Sequence, residues 1–247
     1  MAHLISGPEC VLDFRPHSVF VVVDRCENAR GSAELHLVAW DREQGPVDQF
    51  LETAATRARA VVRAQNKTYL DFTPPDVLNR APAEFLPAYS MLRMSLAIPD
   101  EIPRANLPPG YAFREYTEND IKEYYEAVRL VFKESPETSI PQFAEFEARG
   151  KALKVNPELL LHDHRIAGFT RIAESLEEIA TVGVTPEHRG KKLGEQLVLQ
   201  ALRVLQAKGR RRTFLSVLST NLPALAVYRK IGFRQTEERI TYSRALN

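Results

Sequence analysis

The residues best suited to chemistry lie in one short stretch of the C-terminal half. Val182, Gly183 and Val184 close an apolar, strand-like run; Thr185, Pro186 and Glu187 follow, then His188, Arg189, Gly190, Lys191, Lys192, Leu193, Gly194 and Glu195. A helical pattern begins there without a break. A strand-to-turn-to-helix junction leaves backbone N–H groups unpaired at the helix N-terminus, and these with the helix dipole make an anion site. Gly190 and Gly194 remove Cβ atoms where a phosphate or a neighbouring strand must come close. Arg189, Lys191 and Lys192 add positive charge, and the whole suits a pyrophosphate. A glycine-containing loop with solvated basic residues is the alternative reading. Two other phosphate motifs are missing. GxxxxGK[ST] fails because Gly190 and Gly194 are too close and Glu195 stands where Lys would be; no GxGxxG occurs. A nucleotide hydrolase or dinucleotide dehydrogenase is therefore poorly supported.

The elements that must hold this stretch follow from periodicity. Tyr111 to Tyr116 reads as a short strand. Thr117 or Asn119 can cap a helix whose apolar residues Ile121, Tyr124, Tyr125, Val128, Val131 and Phe132 recur at helical spacing. A second helix is expected from Pro141 to Gly150. Glu158 to His162 and Ile166 to Ile172 read as strands around a turn at Asp163, His164 and Arg165, and Leu176 to Val184 as a third. Leu193, Leu197, Ala201, Leu202 and Leu205 form one stripe of a helix from Gly190 to Ala207, with Gly209 at its C-cap. Thr213 to Leu218 is a strand, Asn221 to Ile231 a helix that Gly232 ends, and Arg234 to Tyr242 a last strand. The segment from Leu96 to Gly110 holds Pro99, Pro103, Pro108 and Pro109, which fit neither helix nor central strand. It reads as a linker, giving residues 1–98, a connection at 99–110, and residues 111–247. The N-terminal half repeats the order faintly. Strands are expected at Val19 to Asp24, Glu34 to Trp40 and Thr68 to Phe72, with a helix from Pro46 to Ala64. The strands led by Glu34 and by Glu178 have the same length, as in a degenerate internal repeat.

Downstream of the basic loop stand Leu215, Val217, Asn221, Ala224, Val227, Tyr228, Lys230, Gly232 and Phe233. With the loop, they resemble the GCN5-related N-acetyltransferase (GNAT) superfamily. The loop is similar to that family's V-x-P-x-x-R-G-x-x-x-G acetyl-CoA pyrophosphate loop. The second segment is similar to its L-x-V-x-x-x-N-x-x-A-x-x-[LV]-Y-x-K-x-G-F, in the same order and with one helix between. The resemblance runs from Tyr111 to Tyr242. One position departs: Lys192 stands where members usually carry Gly or a small residue. The whole chain resembles tandem members of the mycothiol synthase type in layout only, a degenerate N-terminal copy before a complete GNAT domain. No R-x-x-x-x-G follows the strand from Glu34 to Trp40, so the first copy is expected to bind no cofactor.

The resemblance implies an α/β fold with a mixed sheet and direct transfer of an acetyl group from acetyl-CoA to a primary amine; a small-molecule acceptor is preferred, with a protein N-terminus or lysine, or a non-catalytic CoA-binding module, as the alternatives. Val182, Gly183, Val184, Arg189, Gly190, Lys191, Lys192, Leu193, Gly194, Glu195, Asn221, Ala224 and Tyr228 are the expected acetyl-CoA contacts. A backbone N–H of Val182 to Val184 would face the thioester carbonyl, on a strand splayed from its neighbour; Gly183 suits a bulge, a close ligand approach or simple packing. Tyr228 is the candidate acid, since a phenol with pKa near ~10 can protonate a departing thiolate. Glu178 is the candidate base, with Glu177 and Glu174 as substitutes; Glu34 at the matching place in the other half allows a structural cause instead. Asn221 can bind the pantetheine arm or cap its helix.

Other features carry less. His162, Asp163 and His164 lack the further ligands a zinc site needs, so no metal is expected. Arg210, Arg211 and Arg212 read as a solvated basic turn. Glu134, Glu137 and Glu145 border the expected acceptor cleft and would suit a cation. Cys10 and Cys26 lie outside the C-terminal half, which argues against a cysteine nucleophile there. The net charge of +1 suggests neither a nucleic acid nor an anionic membrane as partner. With no signal peptide, no spanning segment and two cysteines, a soluble cytoplasmic monomer or homodimer is expected.

Overall fold

In the computed structural model the described residues are 9–13, 20–24, 32–39, 69–73, 85–133, 135, 138, 140–152, 157–173 and 177–245. They form two compact units. The first takes Met1–Ser90, Ser135–Ser139 and Arg239–Asn247, and the second Met91–Glu134 and Ile140–Glu238.

In the first unit, β1 (Glu9–Asp13), β2 (Phe20–Asp24) and β3 (Ser32–Ala39) pair antiparallel in turn. β4 (Tyr69–Phe72) runs parallel to β3, with Glu34 beside Asp71, and pairs antiparallel with the end of β11 (Arg234–Ala245). The helix expected from Pro46 to Ala64 lies outside the described residues, as do Cys26 and Trp40.

The second unit has strand order β11, β5 (Leu86–Ala97), β10 (Arg212–Leu218), β9 (Glu178–Val184), β8 (Arg165–Ala173), β7 (Glu158–His162), β6 (Tyr111–Glu115). β9 is antiparallel to β8 and parallel to β10, and β10 is antiparallel to β5. The strand led by Glu178 thus stands in the same relation to its neighbours as the strand led by Glu34. This common connectivity supports the repeat. β5 is the main element that the sequence reading passed over. It has no β-branched residue and no clean alternation; only Leu92 and Met94 are buried.

Helices cover both faces of this sheet. Phe169 on β8 turns to α1 (Ile121–Phe132), where its ring meets Tyr124 edge-on at 5.2 Å. The neighbouring Gly168 turns the other way, and a Cβ there would lie 3.1 Å from Leu197 of α3 (Leu193–Ala207). α3 buries Leu193, Leu197, Ala201, Leu202 and Leu205, the stripe read from the sequence. α4 (Leu222–Ile231) packs beside it and ends at Gly232, whose φ of 112° only glycine adopts easily. α2 (Phe143–Ala152) lies against α1 through Phe146. The entry to α1 is fastened by Asp120, which accepts from the Thr117 backbone N–H at 2.7 Å and from the Arg114 guanidinium at 2.6 Å. That hydrogen-bonded arginine holds the Asp120 carboxyl at about 2.

The proline-rich segment has no regular structure, as expected, but it is tied along α3. Gln206 donates to the carbonyls of Pro99 and Asp100, Arg203 to that of Pro103, and the Asn106 N–H donates to Gln196.

Candidate functional site

The parallel neighbours β9 and β10 share a single register pair, Glu178 with Phe214. Beyond it, β10 continues along β5 as far as Leu218 beside Met91, while β9 continues along β8. The two strands splay. In the gap, every second residue of β9 turns its N–H and C=O away from β8. The register between β8 and β9 shifts between Arg171 and Ile172: Arg171 faces Thr181 but Ile172 faces Ile179, leaving Ala180 over. This bulge falls at Ala180, not at Gly183. Gly183 has a packing cause instead, since a Cβ there would stand 2.6 Å from the tip of the Phe169 ring. Val182 and Val184 turn to the α3 side, half-buried against Leu193 and Leu197.

The loop after β9 does not extend the helix to Gly190. Gly190 has φ of 79° and Lys192 has φ of 59°, so α3 starts only at Leu193. Lys192 occupies the left-handed region that favours glycine, at a cost of about 1–2 kcal/mol. This is the position where family members carry a small residue. Its side chain makes no cap, and the first bond of the turn is Gln196 N–H to the Lys192 carbonyl. The N–H groups of Leu193, Gly194 and Glu195 therefore precede any intrahelical acceptor. A Cβ on Gly190 or Gly194 would meet no atom within 4 Å, so the loop is open at both glycines. Arg189 donates through Nε to the Val184 carbonyl at 3.3 Å, which leaves the rest of its exposed guanidinium at the loop. The Glu195 carboxylate faces away and binds Lys230 of α4 at 2.7 Å. The ion pair ties the first turn of α3 to the last turn of α4.

Lys191 is not simply solvated. It donates to the Tyr111 hydroxyl at 2.9 Å, and that hydroxyl lies 2.7 Å from Nδ1 of His188. An ammonium can only donate, so the chain of bonds is complete when the Tyr111 O–H donates to an unprotonated Nδ1. His162 packs on both rings, at 4.4 Å from Tyr111 and 5.2 Å from His188. Burial, with Lys191 and His162 adding like charge, pushes His188 below its ordinary 6.5. A histidine so lowered favours folding fully above about pH 6.5 and loses that contribution as pH falls through its folded value. An NMR titration is expected to find His188 below 6.5 and moved upward in Lys191→Met; titration at or above 6.5 in the unsubstituted protein would count against this network. Sequence reading missed Tyr111, because only the fold brings β6 to the loop.

The second motif lies on α4. Asn221 caps it, its Oδ1 accepting from the Ala224 N–H at 3.2 Å, while its Nδ2 has no partner among the described residues. Ala224 packs half-buried on the core. Tyr228 is buried among Leu215, Val217, Leu225 and Phe233, and burial pushes its phenol up to about 12. Its hydroxyl has no hydrogen-bond partner among the described residues. Glu178, half-buried at the root of the splay, likewise has none. Its neighbour Glu177 is engaged: the carboxylate pairs with Arg212 and Arg210, and the carbonyl accepts from Thr213 and Phe214. Glu174, Glu134 and Glu137 lie outside the described residues.

The basic turn is ion-paired rather than free, with Arg211 on Asp100 and its two neighbours on Glu177. Asp163 and His164 form the two-residue hairpin turn, both with positive φ. Among the described residues no group of three or more His, Cys, Asp or Glu could hold a metal ion, and no helix is long and apolar enough to cross a membrane.

The profile of the acetyltransferase (GNAT) family matches residues 115–233. The chain is 30% identical over 145 residues to mycothiol acetyltransferase of Clavibacter michiganensis subsp. michiganensis, covering 56% of this chain and 47% of that protein. To mycothiol acetyltransferase of Arthrobacter sp. it is 27% identical, covering 90% of this chain and 73% of that protein. The chain spans about half the length of most of the curated relatives it matches. Among solved structures, a tandem GNAT protein from the clavulanic acid biosynthesis pathway superposes with a TM-score of 0.63 at 16% identity, covering 93% of this chain and 79% of the other. The fold is thus that of the GNAT proteins, tandem members included, and residues 115–233 are a domain of the GNAT acetyltransferase family.

Proposed function

We propose that residues 111–247 are an acetyl-CoA-dependent N-acetyltransferase domain that moves the acetyl group directly to a primary amine in a ternary complex. The splay of β9 from β10, opening beside the uncapped start of α3, carries this reading. It offers a slot for an extended, amide-rich arm, and at its mouth unpaired N–H groups, Arg189 and Lys192 for a pyrophosphate. Alignment of the two reactants in such a slot can lower a barrier by about 7–11 kcal/mol.

The chemistry assigned to the side chains is simple. Glu178 takes a proton from the acceptor ammonium, directly or through a water. The amine nitrogen attacks the thioester carbonyl, whose developing oxyanion faces a β9 backbone N–H. As the C–S bond breaks, Tyr228 gives its proton to the thiolate, and the second proton on nitrogen returns through solvent to Tyr228. Asn221 adds an amide donor for the pantetheine arm. Residues 1–98 are assigned as a degenerate copy that binds no CoA.

Isothermal titration is the test. Acetyl-CoA is expected to bind at micromolar strength, and Gly190→Val, which fills the open space and forces a β-branched residue to positive φ, to weaken it at least tenfold. No heat of binding at millimolar acetyl-CoA would sink the reading. Tight binding with no thiol release from any amine in a broad screen would favour a non-catalytic CoA-binding module instead.

A further inference from the structure

Arg171, on β8, is half-buried and makes no hydrogen bond or ion pair among the described residues. Other arginines of this unit are engaged: Arg114 with Asp120, Arg165 with Glu123 on α1, and Arg149 with Glu145 on α2. A guanidinium keeps its charge, so one drawn partly out of water and left without an anion is held at a cost. Strand alternation puts Arg171 on the same face as Phe169, two residues before it, and the register sets it beside Thr181. That face is the aromatic one, where Tyr124 meets Phe169 and, at 5.9 and 5.7 Å, Tyr116 and Phe146. Burial raises the Tyr124 phenol to about 12 and the charge of Arg171 opposes the rise, which places the guanidinium within electrostatic reach of that ring.

Glu178 shares this face. Ile179 turns to the α3 side and packs with Val198 and Leu202, so Glu178 turns to the α1 side, opposite Ala173 of β8. An unpaired carboxylate and an unpaired guanidinium thus flank the bulge at Ala180, on one surface and not bonded to each other. Three acidic groups of α1 and α2 are taken: Glu145 holds Arg149, Glu147 holds Lys151, and Glu123 holds Arg165 and the Ile166 N–H.

We propose that Arg171 is a specificity-determining residue that binds a carboxylate on the acceptor, so that the amines acetylated here carry a carboxylate a few bonds from nitrogen, amino acids being the simplest class. Arginine's planar fork matches a carboxylate with two parallel bonds. Thr181 lies one to three residues before Val182–Val184, and a strand rises about 3.3 Å per residue. A carboxylate at Arg171 therefore leaves the nitrogen within a short reach of the thioester and of Glu178. The proposal rests on β9 being the transfer site, and the experiment separates the two. The twenty amino acids and their C-terminal amides are titrated as matched pairs against the CoA-loaded protein by ligand-observed NMR. Acetyl-CoA affinity is measured separately for the same variants. At least one amino acid is expected to bind tenfold or more tightly than its amide. Arg171→Gln is expected to shrink that ratio below twofold with acetyl-CoA affinity unchanged, and Arg171→Lys to retain part of it. Ratios below twofold for every pair, or a preference for amides, overturn the proposal, as does discrimination that survives in Arg171→Gln. Failure of acetyl-CoA itself to bind overturns the reading of the transfer site instead.

Discussion

Tyr228→Phe is expected to lower kcat by about 100-fold and to leave the affinity for acetyl-CoA within twofold. General acid catalysis by a placed side chain contributes roughly 10²–10⁴-fold. The lower end applies because burial lifts this phenol to about 12, well above neutrality, which makes it a reluctant acid. The same burial ensures that it is protonated when a thiolate departs. Phenylalanine keeps the ring that packs on Phe233 at 5.9 Å, so the core is preserved. It removes only a hydroxyl that has no partner among the described residues, so no described donor is stranded. Steady-state rates with a titration of acetyl-CoA decide the matter. An unchanged kcat removes Tyr228 from the acid role, and a fall in affinity as large as the fall in kcat makes it a binding group.

Gly183→Ala is expected to destabilise the domain by about 2 kcal/mol. Gly183 lies outside the left-handed region, so alanine meets no backbone objection. The cost comes from its Cβ, which would sit 2.6 Å from Phe169 Cζ, a fully buried ring with nowhere to swing. Forcing a methyl into such packing costs roughly 1–3 kcal/mol. Phe169→Leu in the same chain removes the offending ring tip and is expected to recover part of the loss, whereas Phe169→Leu alone destabilises by opening a cavity. Urea unfolding of the two single variants and the double variant gives the coupling. Additive losses would show that the ring is not what requires glycine at residue 183. The substitution also presses on the strand that carries the proposed oxyanion amide, so acetyl transfer in the folded fraction should fall as well.

Much of this site is written in local chemistry. The loop's glycines, its basic residues and the apolar stripe from Leu193 to Leu205 lie within a few turns of chain, and the structure seats them as their spacing implies. Gly232 ends α4 and Asn221 begins it, because a left-handed C-terminus and an N-terminal acceptor are demands of the helix itself. Helix α3 begins later than periodicity suggested, since backbone conformations at Gly190 and Lys192 are not visible in a hydrophobic pattern. Strand β5 was hidden for a related reason: a strand with half-buried neighbours on both sides need not alternate.

The order of residues thus specified the basic glycine-containing loop, the cap and tyrosine of α4, and the succession of strands and helices after residue 110, all of which depend on backbone hydrogen bonding and period. Pairings between distant segments were decided only in three dimensions. Lys191 ends on Tyr111, Glu195 on Lys230, and Arg210 and Arg212 on Glu177, while Glu178 and Arg171 meet no partner among the described residues. Those outcomes depend on which strand lies beside which and on which face a bulge turns outward. A charge's partner is set by distance in space, and composition and spacing along the chain do not contain that distance.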